Sequence, residues 1–132
     1  NQETINLGDI QTTRDFNYVI DTCEAFFQCF NSEKTIGDIF NSCSGFEISI
    51  EETVKNIANI INKKVNIHVE EKRLRPVKSE VRRLVGSNLK LKNATGWSPS
   101  NEGKKSFLIG LEKTIKWIKN YKFDIKNNEY TI

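Results

Sequence analysis

A chain of 132 residues with 37% hydrophobic and 28% charged side chains has the bulk of one globular domain and too little for most two-domain enzymes. No apolar run approaches the ~18 residues a membrane-spanning helix needs, and no basic, apolar leader opens the chain, so neither membrane insertion nor secretion is expected. The net charge of +3 hides an asymmetry of three basic against ten acidic side chains in residues 1–62 and seventeen against seven in residues 63–132, so the second half would attract an anion.

In chain order, "NLGDIQTTRDF" (6–16) mixes Gly8, Asp9 and threonines with spaced apolar residues and predicts a short extended segment running into a turn. From Tyr18 onward Val19, Cys23, Phe26, Phe27 and Phe30 recur at helical spacing, which predicts a helix burying that stripe. "NSEKTIG" breaks the pattern, and "DIFNSCSG" (38–45) reads as a strand entering a tight loop. Ser49 and Glu52 then form the S-x-x-E capping box ahead of Ile50, Val54, Ile57 and Ile61, the clearest helix in the chain. "VNIHVE" (65–70) alternates as a half-buried strand does. Pro76 restricts Arg75 to extended geometry.

A short piece follows around 88–95, then "GWSPSNEG" (96–103) as irregular chain. The last long helix covers 104–121, with Leu108, Leu111, Ile115 and Ile118 as its core stripe, widened by Phe107, Trp117 and Tyr121. "KFDIKNNEYTI" is a polar tail and a candidate terminal strand. The fold class is therefore mixed α/β, about four helices with a few short strands. The chain opens on Asn and holds no Met, as a piece of a longer protein would.

Few residues are equipped for chemistry. His68 is the sole histidine and has no companion for a metal or a triad. Cys23, Cys29 and Cys43 make neither an even disulfide framework nor a C-x-x-C pair, and read as buried thiols in a reducing, cytoplasmic setting. There is no Gly-rich phosphate loop, and "SCSGFEISIEE" reads as a plain helix cap. Tyr-x-x-x-Lys is absent, since Thr22 and Ile125 stand four after Tyr18 and Tyr121, so no catalytic or metal-binding residue is assigned.

What remains is a set of arginines. Arg14 precedes Asp15 at a strand-to-helix junction, and Arg73 and Arg75 follow a strand just before Pro76. Guanidinium forks at fixed backbone positions suit bidentate contact with phosphate oxygens, and a carboxylate beside them can accept from ribose hydroxyls. Lys78, Arg82 and Arg83 recur at helical spacing and read as a solvated or salt-bridged surface. A rival reading is a stand-alone basic module binding nucleic acid through residues 63–92. It is disfavoured because the eight Lys and Arg of 72–92 have no aromatic between them to stack bases.

The ordered segments "RDFNYVIDT", "IFNSCSG…SIEE", "RLRPVKSEVRRL" and "KLKNATGWSP…GLEKTIKWIKNY" together resemble the C-terminal part of the extended short-chain dehydrogenase/reductase family. Within that NAD-dependent epimerase/dehydratase family they are similar above all to the nucleotide-sugar 4,6-dehydratases of legionaminic-acid-type pathways, which act on UDP- or GDP-linked N-acetylglucosamine. The resemblance implies that residues 1–132 are a nucleotide-sugar-binding lobe, normally attached to an N-terminal Rossmann domain that holds NAD and carries Tyr-x-x-x-Lys. That domain is missing here, so this chain alone would bind no cofactor and would expose apolar surface the domain covers. Arg14 would meet the pyrophosphate, Arg75 would meet it from the other side, and Glu80 would bind ribose hydroxyls. The implied reaction is internal redox, with hydride leaving sugar C4, water lost across C5 and C6, and the hydride returned to C6. A nucleotide-sugar epimerase of the same family is the alternative. Implied partners are the nucleotide-diphosphate sugar and the Rossmann domain, with homo-oligomerisation open. Cys43 stands where the family's loop has a glycine, and Ser87 where Asp is common.

Overall fold

The computed structural model describes residues 3–76 and 78–121. Its elements are β1 (Glu3–Leu7), β2 (Thr13–Arg14), α1 (Val19–Phe30), β3 (Ile48–Ser49), α2 (Ile50–Ile60), β4 (Val65–Val69), β5 (Arg83–Leu84), α3 (Leu89–Thr95) and α4 (Gly103–Asn120). One-turn 3₁₀ helices at Glu33–Thr35 and Glu71–Arg73 complete them. This is the mixed α/β class of four helices and short strands that the sequence predicts. The tail from residue 122 lies outside the described residues.

The strands make two small sheets. The alternating Val65, Ile67 and Val69 lie on β4, which pairs in parallel with β1, Ile5 opposite Ile67. In the other sheet β2 is central, antiparallel to β3 and parallel to β5. Glu47, just before β3, ties the outer strands together: its carboxylate accepts from the Thr13 hydroxyl at 2.5 Å and from Arg83 Nε at 3.0 Å. Helix α2 begins where the capping box places it, with the Glu52 N–H donating to Ser49 Oγ at 3.1 Å.

The core lies between α1, α3 and the 96–100 loop. Leu91, 1% exposed, packs with Ala25 and Trp97, and Cys29 and Phe40 close over them. Buried Asp21 holds the loop in place by accepting from the Ser100 N–H at 3.2 Å and from its hydroxyl. On α4 the packed face is Ser106, Phe107 and Gly110, offset from the predicted Leu108 stripe, and Phe107 meets Phe16 at 6.0 Å between ring centroids. Ile118 is exposed.

Two expectations are corrected. The α1 stripe is outward: Val19, Cys23, Phe26, Phe27 and Phe30 are all exposed, Phe30 by 87%, while the opposite face carries Asp21 and Ala25 into the core. Periodicity identifies an apolar face but not what covers it, and among the described residues nothing covers this one. The strand expected over 38–45 is also not formed. A strand needs a neighbour for its N–H and C=O groups, and here side chains serve instead. Lys90 donates to the Ile39 carbonyl, Asn17 to that of Ser42 and Asn88 to that of Cys43, while Ile39 stays 84% exposed.

Leu91→Ala should cost about 2–5 kcal/mol in urea unfolding, the usual penalty for emptying a fully buried leucine site. Hydrogen bonds from Arg83 and Thr13 lower the Glu47 pKa from 4.5 to about 2. Its contribution to stability is therefore complete above about pH 4.5 and is lost as the pH falls through about 2. Thermal melts over that range should show a shallower acid limb for Glu47→Gln than for the wild type.

Candidate functional site

The 74–82 segment is brought to β2 by backbone and side chain together. The Thr13 N–H donates to the Arg82 carbonyl at 2.9 Å. Arg14 Nη1 donates to the Thr13 and Val81 carbonyls, each at 2.7 Å, and Nη2 to Glu80 Oε1 at 3.1 Å. The Arg14 and Glu80 side chains are 25% and 14% exposed, so the pair is largely withdrawn from solvent. On the other side Gly8 permits a close approach, since a Cβ there would stand 2.6 Å from the Arg73 carbonyl oxygen. That contact sets Asp9 beside the strand exit that leads to Arg75.

The result is a cleft of about 140 Å³ lined by Asp9, Leu74, Arg75, Glu80 and Arg82. Arg75 and Glu80, both expected from the sequence, share it. Arg14 stands behind the lining and reaches the cleft through Glu80. Asp9 Oδ1 accepts from the Gln11 N–H at 2.8 Å, so this carboxylate is engaged in its own turn.

The other basic groups nearby are neutralised. Arg73 and Lys72 pair with Glu70 at 2.5 and 2.7 Å, and these hydrogen bonds, Lys72 first, hold the Glu70 carboxyl below its ordinary pKa. Arg83 pairs with Glu47, the salt-bridged role its spacing suggested. The side chains of Arg75 and Arg82, by contrast, have no hydrogen bond or ion pair among the described residues.

Asp15, next to Arg14, fixes the frame behind the cleft. Its Oδ1 accepts from Ser44 N at 3.0 Å and Ser44 Oγ at 2.5 Å, and its Oδ2 from Gly45 N at 3.0 Å and Gly86 N at 3.2 Å. Cys43 is buried within this turn, and burial first, then the Asp15 charge, pushes its thiol pKa up, which makes it a small apolar filler. A Cβ on Gly86 would stand 2.6 Å from Cys43 Sγ, so the space Cys43 takes is left open by Gly86. Cys23, expected to be buried, is exposed, and His68 is an exposed residue of β4.

Among the described residues no three His, Cys, Asp or Glu side chains converge on a metal-sized site, and no helix is long and apolar enough to cross a membrane. Chemically the cleft can bind an anion through two guanidinium forks and accept hydrogen bonds from a diol through Glu80.

This fold is that of the C-terminal part of the NAD-dependent epimerases and dehydratases, the extended short-chain dehydrogenases/reductases. Residues 1–107 match the family described as GDP-mannose 4,6 dehydratase, and the chain belongs to it. The chain is 35% identical over 95 residues to the GDP-6-deoxy-D-mannose reductase of Pseudomonas aeruginosa, covering 72% of this chain and 30% of that protein. It is 26% identical over 136 residues to the GDP-mannose 4,6 dehydratase 1 of Arabidopsis thaliana, covering 97% and 33%. Among solved structures it superposes on RMD from Pseudomonas aeruginosa complexed with NADPH with a TM-score of 0.66 and 30% identity, over 84% of this chain and 36% of that one. The chain thus spans about a third of the length of the curated relatives it matches.

A nicotinamide cofactor finds no recognisable holding group among the described residues: no Gly-rich turn opens a helix, no Tyr of the sequence is followed by a Lys four residues on, and the Ser49 side chain is spent on capping α2. No step through that cofactor is derived for this chain.

Sequence reasoning missed Arg82, which had been grouped with Lys78 and Arg83 on helical spacing. No helix forms there, and Arg83 opens β5.

Arg14→Ala should destabilise the chain by about 1–2 kcal/mol, because it removes three hydrogen bonds and leaves a half-buried Glu80 unpaired. Urea titration measures the loss, and Glu80→Gln should recover part of it in the Arg14→Ala background.

Proposed function

We propose that residues 1–132 are the substrate lobe of a cytoplasmic, NAD-dependent nucleotide-sugar 4,6-dehydratase, gripping UDP- or GDP-linked N-acetylglucosamine by its nucleotide end. The observation that carries this reading is the cleft that Arg75, whose side chain has no partner among the described residues, shares with a carboxylate, Glu80, held by Arg14. Arg75 meets the diphosphate as a bidentate fork, and Glu80 accepts hydrogen bonds from the ribose hydroxyls. Arg14, carried into the same site, holds the Glu80 side chain in place and strengthens the local positive potential. Family membership supports the substrate class. The clamp reads the nucleotide and not the sugar, so it would serve a 4,6-dehydratase and a 4-epimerase alike; the family match favours the dehydratase.

The outward apolar face of α1, with exposed Ile36 and Ile39 beyond it, supports the second part of the reading. An apolar stripe of this size is a surface that another body covers, and the protein's own Rossmann domain, bearing NAD, is the proposed cover. In the assembled enzyme the lobe's contribution is binding and orientation.

Isothermal titration calorimetry on this chain tests the proposal with UDP, GDP, their 2′-deoxy counterparts, NAD and duplex DNA. A nucleoside diphosphate should bind, and Glu80→Gln should abolish the preference for the ribo form over the 2′-deoxy form. Absence of diphosphate binding, or tight NAD binding, would overturn it. DNA binding that falls steeply with salt would establish the nucleic-acid reading in its place.

A further inference from the structure

We infer that Arg82 is a further substrate-binding residue, supplying with Arg75 the second guanidinium of a two-fork clamp for the diphosphate. The inference rests on the nucleotide-sugar reading above and adds a contact to it. Four arginines stand around this end of the fold besides Arg75, and three have carboxylate partners: Arg14 with Glu80, Arg73 with Glu70 and Arg83 with Glu47. Arg82 has none among the described residues, although it lines the cleft that also holds Glu80 and Arg75.

Its position is fixed by the backbone. The Arg82 carbonyl accepts from Thr13 N at 2.9 Å, and the next residue enters β5 with its own guanidinium anchored on Glu47. Arg82 sits at the bend that leads into β5, and from there its side chain lines the cleft with Arg75 and Glu80, while that of Arg83 lies with Glu47 outside the lining.

The ligand chemistry matches this pairing. A diphosphate presents two adjacent phosphoryl groups, each able to take a bidentate fork, whereas one arginine satisfies only one of them. Neither Arg75 nor Arg82 must break an ion pair to bind, so no protein contact is lost when the anion enters. A guanidinium left unpaired beside one that is also unpaired costs mutual repulsion, and a doubly charged ligand relieves it.

Calorimetry with GDP and with guanosine tests the assignment in four variants of the full chain: Arg82→Gln, Arg82→Lys, Arg75→Gln and Arg83→Gln. Arg82→Gln should weaken GDP binding about tenfold, as Arg75→Gln does, while guanosine binding stays unchanged. Arg82→Lys should recover part of the loss, and Arg83→Gln should leave GDP affinity at the wild-type value. Circular dichroism of each variant confirms the fold, which the exposed Arg82 side chain does not support. Wild-type GDP affinity in Arg82→Gln, with the loss confined to Arg75→Gln, overturns the inference and leaves the nucleotide reading standing. An equal loss in Arg83→Gln overturns it too, because general positive charge would then account for the effect. A wild-type chain that binds no GDP removes the reading itself, and this inference with it.

Discussion

One carboxylate holds the architecture together. Asp15 takes four hydrogen bonds from two stretches of chain, the turn at Ser44 and Gly45 and Gly86 just past β5, both gathered at the end of β2. The 42–45 turn and the 84–88 segment are further joined by Asn88 Nδ2, which donates to the Cys43 carbonyl at 2.8 Å, and by Cys43 taking the space that Gly86 leaves open. Arg14 is the neighbouring residue and reaches toward Val81 and Glu80. The dipeptide thus works in two directions, its acid tying the frame and its base tying the cleft. Since both depend on where β2 lies, the site has the rigidity of the frame.

Charge follows the same logic on a larger scale. The acidic first half and basic second half are drawn against each other where Lys63 meets Glu3, Arg83 meets Glu47 and Lys90 meets Asp38. An exposed pair of this kind contributes little alone. The Arg14–Glu80 pair runs the other way, a base of the first half held by an acid of the second, and it is the less exposed one at the edge of the cleft.

Local signals were the legible ones. The capping box at Ser49, the alternation at Val65 to Val69 and the long period behind α4 depend on neighbours within a few residues, and each sits where the sequence places it. The stripe of α1 and the segment 38–45 departed from expectation for one shared reason: an apolar pattern states what could be buried, and among the described residues no surface covers the one and no strand pairs with the other. Arg75 and Glu80 were singled out from the sequence, while Arg82 escaped because its spacing from Lys78 and Arg83 suggested a helix face, and the bend that places it on the cleft is set by pairing with Thr13, 69 positions away.

The pairing of the strands has a consequence for how the chain is made. Strand β1 finds its partner only at Val65–Val69, and β2 needs Arg83 and Leu84 to complete its sheet. A ribosome releases the N-terminal strands long before these partners exist, so the first strands must wait, unpaired, while the intervening helices form. Helices settle on local contacts and sheets of this connectivity on distant ones. The nascent chain would therefore be helical first and closed last, and the cleft would come into being only at closure, when β5 docks on β2.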